Sequence, residues 1–381
     1  MTKRDLGQYF TTNKQLRNKV SDLILNKPEI ILEPSVGQGD LVQCVLEKYN
    51  NIIFDMYEID PNIKILKGVP TNIIYGDFIK QDIKKTYKTI ISNPPFIRTT
   101  SGNLYIDFIE KCYNLLENNG ELIVIIPSDF FKLTSASTLL NVMITNGTFT
   151  HIFHPHNESL FKNATIDVLV FRYCKNNNLK KEILYNDKLL FINNNEGMIT
   201  FNKDKNNSKY DFKHYFDIYV GLVSGKESVF KNQEYGNIEL QNGENKIDKY
   251  IQIEKFPCDN SNINNYLMSF KKDLLNRKSK NFNEENWFKW STPRNIRSIR
   301  KNLGKECIYI YNLTRKQKVA FKGKVKLFGG GLIILIPNKE VNIDNVVTYL
   351  NSNVFKGNFT FSGRFKIGHR QISNSPFPNN I

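Results

Sequence analysis

The chain of 381 residues is longer than one ordinary domain, and its 40% hydrophobic content can bury at least one sizeable core, so two domains are expected. The formal net charge of +16 is uneven: residues 1–200 are close to neutral, residues 201–250 are balanced, and the excess of Lys and Arg lies beyond them, which points the carboxy-terminal part at a polyanion, nucleic acid rather than membrane. No apolar run could span a bilayer, the start "MTKRDLGQYF" lacks a signal-peptide core and the five cysteines form no close pair; these features argue against a membrane protein, a disulfide scaffold or a zinc cluster and predict a soluble cytoplasmic protein with reduced thiols.

In chain order, apolar runs bounded by turn residues predict strands at "EIILEP", "IIFDMYEIDP", "TNIIYGDF", "YKTIISNPP", "ELIVIIPSDFF", "FTHIFHP" and "IDVLVFRYC". Helical patterns lie between several of them, at "DLVQCVLEKY" and at "NLYIDFIEKCYNLLENNG", the second closed by a glycine. Strands alternating with helices imply an α/β fold with a parallel sheet, and the closer spacing of the later runs allows an antiparallel edge. The asparagine-rich stretch from about Leu179 to Lys209 reads as loops and a linker. Beyond it, "IYVGLVSGKESVF", "NWFKWSTPRNIRSIRKN", "VAFKGKVKLFGGGLIILIP" and "NFTFSGRFKIGHRQ" mix strand-like segments, glycine loops, basic residues and aromatics, as a separate mixed α/β domain would.

In such a sheet the loops after the strands share one rim, which gathers residues 33–40, 58–60, 76–78 and 93–96. "EPSVGQGDL" opens a helix, with Gly37 and Gly39 allowing a tight turn and close approach of a ligand; it fits neither the Walker pattern nor the full dinucleotide fingerprint. Glu58, ending the second strand, can accept from both hydroxyls of a ribose, and Asp77 and Phe78 offer an acceptor for an exocyclic amine beside a flat ring. That set describes an adenosine site without a phosphate grip; the bland roles are a helix cap for Asp40, a turn for Asp60 and a core position for Phe78. In "TIISNPPFIR" two prolines stiffen the loop, while Asn93 offers an amide, Pro94 a carbonyl and Phe96 a face, groups able to grip a planar nitrogenous substrate or merely to stop a strand. "HIFHPH" has no acidic or thiol partner nearby in sequence and reads as structural rather than metallic.

With these motifs in this order, the sequence resembles the S-adenosylmethionine-dependent, amino-methylating DNA methyltransferases of the γ class, the type II restriction-modification family. "GQYFTT" precedes "EPSVGQGD", "YEIDP", "YGDF" and "NPPF", and "GELIVIIPSDFF" and "LFKNATIDVLVFRY" resemble later motifs, so the likeness covers roughly residues 7–173. It implies a Rossmann-like methyltransferase sheet in residues 1–200 and a basic, mixed α/β target-recognition domain in residues 201–381. Tyr9, Phe10 and Thr11 would close over the methionine part of the cofactor, Glu33 would hold the glycine loop, Glu58 would bind ribose, Asp77 the adenine amine and Phe78 its ring. Pro34, Gly37, Gly39, Ile59 and Asn93 complete the implied cofactor set.

The same resemblance makes Asn93, Pro94, Pro95 and Phe96 the catalytic group: Asn93 Oδ1 and the Pro94 carbonyl would accept from the N6 amine of a target adenine, with Phe96 and Phe161 stacking on or bordering the base. No metal is implied. The base would be flipped out of double-stranded DNA at a cost of a few kcal/mol, partly offset by stacking worth about 1–3 kcal/mol per base. Arg294, Arg297 and Arg300 of "TPRNIRSIRKN", with Arg364, Lys366 and Arg370 of "FSGRFKIGHRQ", are the implied DNA contacts. The expected target is a short palindrome such as CATG, in a monomer or weak dimer with a separate restriction endonuclease as partner. The competing readings are N4-methylation of cytosine, N5-methylation of protein glutamine and, through Pro257-Cys258, C5-methylation of cytosine.

Overall fold

The computed structural model describes residues 9–49, 51–100, 102–162, 164–176, 181–203, 208–278 and 281–378. Gly7 and Gln8 of "GQYFTT", and residues 179–180 and 204–207 of the expected linker, lie outside them. The chain packs as two compact units, Met1–Asn206 with Phe361–Gly363, and Asn207–Thr360 with Arg364–Ile381. Among the described residues no helix is long and apolar enough to cross a membrane.

The first unit is built on a ten-stranded sheet: β1 (Ile30–Glu33), β2 (Ile53–Glu58), β3 (Ile73–Tyr75), β4 (Tyr87–Ser92), β5 (Leu116–Pro127), β6 (Gly147–Phe153), β7 (Val168–Lys175), β8 (Glu182–Tyr185), β9 (Lys188–Asn195) and β10 (Met198–Asn202). Their order is β10-β9-β8-β6-β7-β5-β4-β1-β2-β3. From β3 to β5 the pairing is parallel, and β7 runs antiparallel to both β5 and β6, the irregular edge that the close spacing of the later runs allows. The chain moves outward from β1 through β2 to β3, then returns to place β4 on the other side of β1. That reversal opens a crevice at the carboxyl ends of β1 and β4, where open α/β sheets take their ligands.

Helices α1 (Lys14–Asp22), α2 (Asp40–Lys48), α3 (Leu104–Asn114) and α4 (Ser137–Thr145) cover the sheet. Leu16, Val20 and Val42 pack on one core with Ile31, Phe54 and Ile123, while Tyr105, Ile109 and Leu140 share another with Ile90, Leu122 and Phe171. Alternate residues of β1, β4 and β5 thus feed opposite faces, which is why those runs read as continuously apolar. Asn13 caps α1, its Oδ1 accepting from Leu16 N at 3.1 Å.

Two expectations need correction. The helical pattern after Asn103 continues in sequence to Asn119, but α3 ends at Asn114, because the Leu115 carbonyl accepts from Tyr87 N at 2.8 Å and Leu116 pairs with Tyr87 in the sheet. The stretch expected to be loops and a linker instead carries β8, β9 and β10, which extend the sheet. Its polar residues make turns between strands: Asn186 and Asp187 have φ of 46° and 61°, and Glu196 and Gly197 have 50° and 76°. Asn, Asp and Gly tolerate that left-handed region, so their abundance marks hairpins.

The second unit holds an antiparallel four-stranded sheet in the order Phe216–Val220, Leu332–Pro337, Glu306–Tyr311, Ala320–Lys324. Ile308, Ile310, Leu335, Val346 and Phe355 fill one core, and Phe230, Tyr250, Trp287 and Trp290 another. Mixed α/β describes it, as the sequence predicts.

Candidate cofactor and catalytic site

The loops after β1, β2, β3 and β4 enclose a cavity of about 300 Å³. After Glu33 the chain turns through Gly37 and Gly39, with φ of 55° and 90°, into the first turn of α2. A Cβ on Gly39 would meet Val69 Cγ2 at 2.7 Å, so glycine is needed there on both counts. Glu58, 6% exposed at the end of β2, fixes this turn: its Oε2 accepts from Gly37 N at 2.8 Å and its Oε1 from Asp60 N at 3.0 Å. Asp77 caps the short helical turn Phe78–Lys80, accepting from Ile79 N at 3.0 Å. Lys111 of α3 ties the same turn from behind, its Nζ donating to the carbonyls of Phe78, Ile79 and Gln81 at 2.5, 3.0 and 2.6 Å.

Four carboxylate residues, Glu33, Asp40, Glu58 and Asp77, line the cavity, and among its described lining residues there is no Lys or Arg. Burial pushes Glu33 up to about 8, against hydrogen bonds from the Ser35 N–H at 3.1 Å and hydroxyl at 3.4 Å, and the nearby Glu58 charge adds to the rise. Burial also raises Glu58, opposed by its backbone hydrogen bonds, and raises Asp40, opposed by Arg17. Below about pH 8 Glu33 keeps its proton, so the ionised carboxylates among the other three repel phosphate and suit a ligand rich in donors or positive charge.

Asn93, just beyond β4, also lines the cavity. Its Nδ2 donates to the Tyr9 carbonyl at 2.8 Å and to Thr11 Oγ1 at 2.9 Å, while its Oδ1 is buried without a hydrogen-bond partner. Ser35 links the loops after β1 and β4, meeting Ser92 Oγ at 3.1 Å and donating to the Asn93 carbonyl at 3.3 Å. Beside Asn93, Tyr9, Phe96 and Phe161 form a closed triangle, with ring centroids 6.2 Å apart for Tyr9 and Phe96, 6.1 Å for Tyr9 and Phe161, and 6.3 Å for Phe96 and Phe161. Tyr9 stacks near-parallel on Phe96, and Phe161 meets Phe96 edge-on.

Of the residues the sequence singles out, Tyr9, Phe10, Thr11, Glu33, Pro34, Gly37, Glu58, Ile59, Asp77, Phe78, Asn93 and Pro95 line the cavity. Gly39, Pro94, Phe96 and Phe161 stand outside that lining: Gly39 sets the turn, Pro94 is buried, and the two rings touch Tyr9 and each other. The sequence places Ser35 and Gln38 on the rim without a role, and sequence reasoning missed Ile79, Ile97, Leu104 and Phe108 in the lining, and Lys111 behind it. Directly after "NPPF" the chain reads "IRTTSGNL", so no apolar pattern singles out Ile97, and Leu104 reads only as the start of a helix. His154, contrary to expectation, has an acidic partner, Asp167, at 2.8 Å from Nε2, with Tyr185 OH at 2.7 Å from Nδ1. Ser128 also bonds Asp167, so the cluster ties the end of β5 to the start of β7.

In the second unit Arg294, Arg297 and Arg300 are exposed, the last two on the helix Ile296–Lys301 whose Ile299 faces the core. Arg364 and Lys366 are exposed on the strand Arg364–Lys366, alternating with buried Phe365, and Arg370 is half-buried on the helix His369–Ser373.

The cavity fits S-adenosylmethionine on two counts: an acidic wall for a sulfonium and a ribose, and half-exposed Ile59 (49%) with buried Phe78 for a purine. The sheet is Rossmann-like, and the cavity at its carboxyl rim is suited to S-adenosylmethionine. Residues 38–161 match the family described as Eco57I restriction-modification methylase. The chain is 30% identical over 200 residues to the Type II methyltransferase M.HincII of Haemophilus influenzae, covering 46% of this chain and 39% of that one. It is 26% identical over 191 residues to the Ribosomal RNA small subunit methyltransferase A of Aster yellows witches'-broom phytoplasma, covering 46% of this chain and 70% of that one. The chain spans under half the length of the first relatives it matches, 36% to 39%. The solved structure of the Type IIL restriction-modification enzyme MmeI in complex with DNA superposes over 98% of this chain and 64% of its own, with a TM-score of 0.59 at 11% identity, a likeness of fold.

Proposed function

We propose that this chain is a site-specific DNA methyltransferase that moves a methyl group from S-adenosylmethionine to N6 of an adenine flipped out of duplex DNA, within a restriction-modification system. The observation that carries the reading is the Asn93 amide, whose two donors are consumed and whose buried Oδ1 is left to accept. Bound S-adenosylmethionine would supply an activated methyl group. Asn93 Oδ1 and the Pro94 carbonyl would accept the two N–H bonds of the target amine, draw its nitrogen toward tetrahedral and aim its lone pair into the cavity. Orientation and electrostatic stabilisation are then the protein's contribution.

For the base to stack on Phe96, the triangle of Tyr9, Phe96 and Phe161 has to part. Each ring contact is worth about 0.5–1.5 kcal/mol, and a stacked base returns about 1–3 kcal/mol, so the exchange is close to balanced. The exposed Arg294, Arg297, Arg300, Arg364 and Lys366 would serve phosphates and base edges, with Arg370 behind them. The likeness to Type II methyltransferases over 46% of the chain supports DNA as substrate, and the likeness to a ribosomal RNA methyltransferase makes RNA the contrasting substrate to test.

The experiment incubates purified protein and S-adenosylmethionine with duplex DNA, ribosomal RNA or a protein extract, then digests the products for mass spectrometry. N6-methyladenine in DNA is the expected product. N4-methylcytosine alone would transfer the reading to the cytosine enzymes, and methyl confined to RNA or protein glutamine would overturn it. Single-molecule sequencing of the DNA would identify the methylated site and decide whether it is a palindrome such as CATG.

A further inference from the structure

Asn93 works only if its amide is the right way round, and the structure shows what sets that orientation. A primary amide has two donors on nitrogen and one accepting oxygen, and the two ends are nearly the same shape. Here the end facing residues 9–11 lies 2.8 Å from the Tyr9 carbonyl, which can only accept, so that end is nitrogen on chemical grounds. The second N–H goes to Thr11 Oγ1 at 2.9 Å, and Thr11 is only 4% exposed, so water is a poor substitute for its hydroxyl. A flipped amide would set oxygen against the Tyr9 carbonyl and offer N–H groups to an amine that itself needs acceptors.

We infer that Thr11 is a positioning residue for catalysis: its hydroxyl, with the Tyr9 carbonyl, locks the Asn93 amide so that Oδ1 faces the substrate amine. The sequence marks Tyr9, Phe10 and Thr11 only as a cover for the cofactor. The hydrogen bonds give the segment a second task, acting on the reacting amine through Asn93. This inference rests on the proposed function, and the two separate experimentally.

The test compares wild type with Thr11→Val, which keeps shape and removes the hydroxyl, and with Thr11→Ser, which keeps the hydroxyl and removes the methyl group. Thr11→Ala is measured alongside, so that a folding failure of the valine variant leaves a second hydroxyl-free protein. Affinities for S-adenosylmethionine and S-adenosylhomocysteine are read by calorimetry, and turnover by methyl transfer to duplex DNA. Leaving a buried N–H unpaired predicts turnover about tenfold or more lower in Thr11→Val, with cofactor affinity within about twofold of wild type and near wild-type turnover restored by Thr11→Ser. Unchanged turnover in the hydroxyl-free variants would overturn the inference. So would a loss confined to cofactor affinity, which is the signature of a cover alone, or a Thr11→Ser variant as impaired as Thr11→Val. A wild type that methylates no DNA would instead refute the function on which the inference stands.

Discussion

Replacing Glu33 by Gln isolates one buried titration. Glu33 is 1% exposed at the end of β1, and burial is the main cause of its rise to about 8 from the ordinary 4.5. The folded chain therefore keeps a proton that the unfolded chain loses near 4.5, so this group's stabilisation is complete below about 4.5 and drains away as the pH rises through about 8. At about 1.4 kcal/mol per pH unit, wild type should lose ~3 kcal/mol from this residue between about pH 5 and about pH 7.5. Glu33→Gln has no such titration and can still accept from Ser35, so its pH profile should be flatter by that amount. Urea unfolding followed by far-UV circular dichroism measures both units. Trp287 and Trp290, the chain's two tryptophans, lie in the second unit, so tryptophan fluorescence identifies that transition and leaves the other to the first. Parallel pH profiles for the two proteins would refute the reasoning.

The turn after β1 separates two glycines: Gly39→Ala, whose Cβ would meet Val69 at 2.7 Å, should cost overpacking of about 1–3 kcal/mol beyond the left-handed strain of about 1–2 kcal/mol that it shares with Gly37→Ala. Urea midpoints of the first unit check the order of the two variants. Arg172→Met leaves Glu121, fully buried and 2.7 Å from the Arg172 Nε, without its ion partner, and should destabilise that unit by about 3–5 kcal/mol, read the same way. Lys111→Met frees three carbonyls behind Phe78 and should weaken S-adenosylmethionine binding roughly tenfold by calorimetry, with no loss of Asn93 geometry expected.

The seven strands from Ile30 to Lys175 are legible because each contains an apolar run with a turn residue at its end; most are buried on both faces, and even the exposed edge strand β3 keeps the run "IIY" before Gly76. The three strands after them are not, because their apolar stretches "ILY", "LLFI" and "MITF" are short and set among Asn and Asp, and an Asn that makes a tight turn looks the same in sequence as an Asn in a linker. The same split holds at the site. Groups on the rim can be placed by order alone, as Glu58 and Asn93 are, since a residue just past a parallel strand must sit there. What orients them cannot, because the partners come from afar: Thr11 is 82 residues from Asn93, and Lys111 comes from a helix that closes the back of the turn it caps.

Charge sorts the two proposed ligands before any specific contact forms. The cavity wall carries Asp40, Glu58 and Asp77 beside a Glu33 that keeps its proton below about pH 8 and, among the described residues, no cation, while the excess Lys and Arg of the chain lies beyond residue 250. A nucleic acid backbone is thus attracted by the second half of the chain and repelled by the cavity, and a sulfonium is treated in the opposite way. An uncharged base is the one part of a DNA strand that can approach Asn93 without bringing phosphate against that wall. On the proposed reading, flipping the base does two things at once: it exposes the amine, and it separates the reacting group from the charge that the cavity would reject.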